Sequence, residues 1–276
     1  MKLKTFISFF VLGFLVTSAT AQSFLTNGLV AYFPFSGNAN DASGNGRNAQ
    51  IYANSGNVTP TADRFGKPNA AYQFGAKVND IDPVIWGTGM NLSNSSLTIS
   101  FWIKASYSQA VDDYGGIGVG TIVPGTPNPG GSTGKNLHIV SNWERIRFSF
   151  FFDECDASQR TPTNQWAQLC VVFSTNTANR TVFINGKAVT NRLAAYGFSG
   201  NDIFSISGRN GVSMDDVRFF NRALSSDEVG QLYAAESGPQ VNLIKAVKPS
   251  FSGLWVGTNF QLQVSSNLNN WTNQGF

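Results

Sequence analysis

Three aspartates carry the clearest chemical potential in the chain. Asp215 and Asp216 stand side by side in the segment Met214-Asp-Asp-Val-Arg-Phe-Phe-Asn-Arg-Ala-Leu-Ser225, and Asp41 sits in a Gly- and Asn-rich loop running from Asn38 to Gly46. A hard cation such as Ca²⁺ collects six to eight oxygens from carboxylates, amide side chains and backbone carbonyls. Asp41 with its flexible loop, joined by Asp215 or Asp216 if the first and last strands pair, would supply part of such a shell. The competing reading is local: Asp41 starts an Asx-turn, and Asp216 accepts nearby backbone amides.

A second group could hold a sugar. Trp102, Trp143 and Tyr114 are candidate aromatic platforms, followed by Trp86 and Tyr107, with Arg147 and Asn142 as polar partners. Each aromatic is equally suited to filling a core. His138 is the only histidine, so Ser-His-Asp or Cys-His chemistry would rest entirely on it. The glutamates of the chain, Glu144, Glu154, Glu228 and Glu236, form no evident acid/nucleophile pair, and there is no P-loop, dinucleotide fingerprint or zinc motif.

The first residues point to export. Lys2 and Lys4 precede an apolar run from Phe6 to Val16, and Ala19-Thr20-Ala21 has the small-x-small cleavage pattern. Residues 1–21 therefore read as a signal peptide, with the mature chain beginning at Gln22 in a secreted or cell-surface location. The run is shorter than the roughly 20 residues of a membrane span, and no later stretch is long enough. Losing Lys2 and Lys4 brings the formal charge of +3 closer to neutral, which gives no electrostatic case for nucleic acid. In an oxidising compartment Cys155 and Cys170 read as one disulfide, two free buried thiols being the alternative.

These residues need a scaffold, and the pattern is all-β. Charged residues make up 13% of the chain, against about 25% in typical domains. Strands are predicted at Gly28–Phe35, Asn48–Tyr52, Ala70–Phe74, Asp82–Trp86, Leu97–Lys104, Ile117–Ile122, Leu137–Ser141, Arg145–Phe152, Trp166–Ser174, Ile203–Ser207 and Val217–Phe220. Leu97–Lys104 alternates, with Trp102 opposite the apolar face, whereas Trp166–Ser174 is continuously apolar as a central strand would be. Thr181–Val189 is a hairpin with a type I′ turn at Asn185-Gly186. A helix follows Ser225, with Ser225 and Glu228 as a capping box and Leu224 and Val229 as a hydrophobic staple. The count predicts an antiparallel two-sheet sandwich over 22–237. Residues 238–276 either pack on it or open a second domain that stops short.

Several segments together resemble the laminin-G-like jelly rolls of the concanavalin A-like lectin/glucanase superfamily. They are Gly28-Leu-Val-Ala-Tyr-Phe-Pro-Phe35 with Asn40-Asp-Ala-Ser-Gly-Asn-Gly46, then Leu97–Ile103, the Trp166 strand with Val182-Phe-Ile-Asn-Gly-Lys187, and Met214–Ser225. The resemblance implies one concave sheet used to bind carbohydrate or protein, and often a structural calcium, for which Asp41 and one of Asp215 and Asp216 are the matching positions. Glucanases of this superfamily place Glu-x-Asp-x-x-Glu on one strand, so that alternate carboxylates face the substrate. The nearest segment, Glu154-Cys-Asp-Ala-Ser-Gln159, lacks the last glutamate. The expectation is a non-catalytic exported module that binds a glycan or a cell-surface protein. The alternatives are a structural or adhesive part of a larger surface protein and a divergent polysaccharide-degrading enzyme.

Overall fold

The computed structural model describes residues 23–52, 57–76, 82–105, 114–121, 132–238, 262–264 and 272–274. The signal-peptide segment and Tyr107 lie outside them. The chain divides into two compact units, 1–239 and 240–276. The first opens with a one-turn helix, α1 (Ser23–Thr26), then β1 (Leu29–Phe33), β2 (Gln50–Ile51), β3 (Val58–Thr61), β4 (Ala71–Phe74), β5 (Val84–Gly87) and β6 (Leu97–Lys104). It continues with β7 (Tyr114–Val119), β8 (Leu137–Asn142), β9 (Ile146–Ser149), β10 (Glu154–Ala157) and β11 (Ala167–Ser174). The rest comprises β12 (Asn179–Ile184), β13 (Lys187–Leu193), β14 (Phe204–Arg209), β15 (Val212–Phe220) and α2 (Ser226–Ser237). In the second unit β16 (Leu262–Val264) pairs antiparallel with β17 (Thr272–Gln274).

Two antiparallel sheets form the sandwich. One runs β13-β12-β11-β6-β15-β4-β3, with β1 also paired to β15, and the other runs β10-β9-β8-β7-β14-β5-β2. The first strand thus meets the last, Leu29 opposite Phe220 and Phe33 opposite Val217. Between the sheets lies an aromatic core in which Phe33 packs on Phe204 at 5.3 Å and Phe150 meets Phe173 edge-on at 4.8 Å. Each enclosed phenylalanine contributes roughly 1.5–3 kcal/mol through removal of its surface from water.

Helix α2 packs on the middle of the outer face of the eight-stranded sheet. Ser225 and Glu228 form the expected capping box, and Leu224 and Val229 join one apolar cluster with Cys170, Val172, Phe183, Phe220 and Leu232. This cover changes the reading of β6. Its alternation suggested one buried face, yet Leu97 through Ile103 are all buried. The polar side is satisfied rather than solvated: Thr98 Oγ1 donates to the Arg222 carbonyl and accepts from Leu224 N–H.

The cysteines are corrected by the same geometry. Both are free and buried. Cys155 points into the core between the sheets, whereas Cys170 belongs to the cluster under α2, on the other side of its own sheet. A sheet therefore separates the two sulfurs, and no disulfide joins them. Burial pushes both thiols upward in pKa, which suppresses the reactive thiolate. Neither should react with a thiol reagent in the native protein, and both should react once it is unfolded. Fast labelling of the folded chain would contradict this placement.

Candidate functional site

The three aspartates occupy two separate settings, each already filled by hydrogen-bond donors. Asp41 Oδ1 accepts N–H bonds from Tyr32 and Ser43, and Oδ2 accepts one from Arg47. Although burial works the other way, the bonds from Ser43, Tyr32 and Arg47 hold its carboxyl below the usual range. This is the Asx-type loop closure. Asp215 and Asp216 share the Arg64 guanidinium at 2.8 and 2.7 Å, while the Tyr32 hydroxyl donates to Asp216. Among the described residues no three acidic, His or Cys side chains gather as a metal shell would require. Amide donors and a guanidinium are the wrong partners for calcium ligands, so Asp41, Asp215 and Asp216 do not fit a joint calcium site.

Trp102 is enclosed on the same side of the eight-stranded sheet. Its indole N–H donates to Glu236 Oε2 at 2.8 Å, Tyr233 stacks on it at 5.8 Å, and Arg64 lies 4.5 Å from its ring centre. With 4% of its surface exposed it offers no platform to a ligand. Glu236 also receives Gln168 Nε2 and Arg218 Nε, and its carbonyl receives Arg64 Nε. The end of α2 is thereby tied to three strands and the loop after β3. Arg64 was the residue that sequence reasoning missed, because nothing in Asp63-Arg-Phe-Gly66 distinguishes it from an ordinary turn.

The other face of the sandwich is different. On β7, Ile117 and Val119 enter the core, while Gly116 and Gly118 alternate with them. Their cross-strand partners are Val140 and His138 on β8, and Ser207 and Ser205 on β14. These residues with Tyr114 and Thr121 line a depression of about 230 Å³. The glycines make its floor possible, since a Cβ on Gly118 would lie 2.6 Å from Thr121 Cγ2 and one on Gly116 2.4 Å from the Ile139 carbonyl oxygen. A second depression of about 160 Å³, lined by Asn142, Glu144, Arg145 and Arg147, shares Val140 with the first. The two meet at Val140 and form a shallow trough of mixed polar and apolar lining on the seven-stranded sheet.

Tyr114 and Arg147 both line this trough. The Tyr114 hydroxyl donates to Asp82 at 2.5 Å, and burial followed by that carboxylate pushes its pKa up to about 12. Arg147 holds Asp156 through Nε and NH2, both at 2.7 Å, and the contact with Arg147 keeps the Asp156 carboxyl below the usual range. Trp143 is half-buried and packs against the core. Trp86 lies opposite Ser205 and Gln50, extending the trough's row towards β2. His138, half-buried, meets Phe151 edge-on at 5.8 Å, and burial pushes its pKa down. It is neutral at pH 7, able to donate or accept one hydrogen bond. The Glu154–Asp156 segment forms β10 at the sheet edge, with Asp156 engaged by two arginines.

The molecule is thus a two-sheet jelly roll with a helix packed on part of one outer face and open depressions on the other. A family model described as the concanavalin A-like lectin/glucanases superfamily, of laminin-G type, matches residues 79–230. The chain belongs to that family. Among solved structures it is similar to the binding domain of botulinum neurotoxin DC in complex with rat synaptotagmin II, at 16% identity and a TM-score of 0.57. The same domain in complex with SialylT gives 16% and 0.56, and the binding domain of Paraclostridial Mosquitocidal Protein 1 gives 19% and 0.57. Each match covers 76% of this chain and 52 or 53% of the other, so this chain spans about half the length of those structures. Comparison with curated proteins by sequence gave no match.

Proposed function

We propose that this is an exported, non-catalytic module that binds carbohydrate through the trough on the seven-stranded sheet. The observation that carries the reading is the asymmetry of the two outer faces. The middle of one is covered by α2 and its apolar cluster. The other presents a glycine floor between serine, threonine, tyrosine and histidine side chains. A sugar ring needs shallow apolar contact with hydroxyl and imidazole partners around it, and Val140, His138, Ser205 and Ser207 supply both. The similar binding domains solved in complex with SialylT and with rat synaptotagmin II support a recognition role, the first for glycans and the second for proteins.

The absence of a paired acid and nucleophile among the described trough residues favours binding over hydrolysis. Glu144 is exposed and held by Arg145, so it is poorly set up as a proton donor. On a glycan array the protein should bind a restricted set of sugars saturably. Ser205→Phe, which fills the trough, should weaken binding by about tenfold or more, the loss of roughly one good hydrogen-bonded contact. Unchanged binding by that variant would overturn the assignment to this face. Binding of a protein receptor but of no glycan would replace the sugar by a surface protein. Release of reducing ends would make the chain an enzyme.

A further inference from the structure

A second cavity, of about 550 Å³, lies away from the trough, beside the turn of the β12–β13 hairpin, the segment after β10 and α2. Its size falls within the usual range for small-molecule sites. The polar groups lining it are Gln159, Arg160, Asn185, Lys187 and Tyr233, and no carboxylate is among the lining residues. This is unusual for the molecule, since Arg64, Arg145, Arg147, Arg180 and Arg218 each hold a carboxylate. Arg160 is anchored through one N–H to the Trp143 carbonyl, leaving its other donors unused among the described residues. Lys187 is exposed, and although its backbone pairs with Ile184, its side chain makes no hydrogen bond or ion pair among the described residues.

The walls are firmly built. Asn185 Oδ1 accepts the Gln168 N–H at 2.9 Å, which fixes the carboxamide and leaves its NH2 as a donor. Gly186 has a φ of +73°, and a Cβ there would lie 2.9 Å from Tyr233 Cβ and 3.3 Å from Gly230 Cα. The hairpin turn therefore rests directly on the helix. Tyr233 is backed by Trp102, so its ring is held in place. Two uncompensated cations, two amides and a backed aromatic ring form a set that matches a sugar bearing an anionic group.

We infer that this cavity is a second binding site, for an acidic saccharide. Arg160 and Lys187 take the sulfate or carboxylate, Gln159 and Asn185 take hydroxyls, and Tyr233 supports the ring. Charge-assisted hydrogen bonds are the strong ones, and partly exposed ones weaken with salt. The site is independent of the trough.

The test is calorimetric titration of the full chain with a neutral disaccharide, its monosulfated form, a glucuronate-containing disaccharide and inorganic sulfate. An acidic disaccharide should bind saturably and more weakly as salt rises. Lys187→Glu, at an exposed position where the melting temperature should not move, should raise its Kd by about tenfold or more, while Ser205→Phe leaves it unchanged. Equal affinity for neutral and acidic sugars, no acidic binding at all, or acidic binding indifferent to Lys187→Glu would overturn the proposal. Inorganic sulfate binding as tightly as the disaccharide would overturn the saccharide assignment. Loss through Ser205→Phe would move the ligand to the trough.

Discussion

Replacing Asp153 by alanine should cost about 3–5 kcal/mol of folding stability, the usual penalty for leaving one member of a buried ion pair alone. The Arg180 side chain is 0% exposed and its partner 4%. Arg180 NH2 meets Asp153 Oδ1 at 2.7 Å, and Arg180 also donates to the Asp153 and Leu193 carbonyls. Asp153 Oδ2 accepts the N–H groups of Ala195 and Tyr196. One pair thus joins β12, the turn before β10 and the segment after β13. Removing the carboxylate leaves a permanently charged guanidinium with two carbonyl acceptors and the Phe150 ring, 5.3 Å away, but no counter-charge. Removing the guanidinium, as in Arg180→Met, leaves an aspartate that still has two amide donors. Urea denaturation should therefore rank Asp153→Ala as the more destabilised of the two. A loss below about 1 kcal/mol would show that the pair is not what holds this corner.

The same pair accounts for a feature that strand periodicity could not reveal. Residues 145–152 read as one alternating strand, but β9 stops at Ser149, and Phe151 and Phe152 both take positive φ, 57° and 59°. Large side chains rarely adopt that conformation without outside support. Here it comes from Asp153, whose partner on β12 is distant in sequence. Strand β10 escaped notice because Glu-Cys-Asp-Ala is short and polar, and β3 because Pro60 argues against a strand except at a sheet edge, which is where it lies. Signals that are local in origin were legible. The Ser225/Glu228 capping box, the Asn185-Gly186 turn with φ of 49° and 73°, and the central position of β11 all follow from a few adjacent residues.

The candidate site was legible to a smaller extent for the same reason. Tyr114 and Arg147 could be singled out by type, and the sheet brings both to the trough. Its floor comes from Gly116 and Gly118, the first just before the predicted strand Ile117–Ile122 and the second within it, and glycines carry no side chain that would mark a site. Trp102 misled because alternation reports two faces of a strand, not what packs on each. Only the helix more than a hundred residues later decides that its indole faces Glu236.

The Asp215–Asp216–Arg64 group should impose a pH dependence that can be isolated by substitution. Burial, then the neighbouring Asp216, push the Asp215 pKa up to about 8, with Arg64 opposing. Between the ordinary aspartate value near 3.9 and about 8, the folded chain holds a proton on Asp215 that the unfolded chain has released. The contribution of this group to stability is therefore complete below about pH 4 and is lost as pH rises towards 8. Asp41, Asp156 and Glu228, whose pKa values are lowered, act in the opposite sense at the acid end. His138, also lowered, does so below about 6.5. The comparison must therefore be between variants at the same pH. Asp215→Asn cannot ionise, so its stability relative to wild type should rise from pH 6 to pH 8.5. Arg64→Met should show the reverse, because it leaves two buried carboxylates around a strained Asp216, φ +47°. Its penalty should reach about 3–5 kcal/mol at pH 8.5 and shrink at pH 5, where protonation replaces the lost cation. Equal losses for Arg64→Met at the two pH values would mean that Asp215 titrates normally and that Arg64 acts through packing on Trp102 alone.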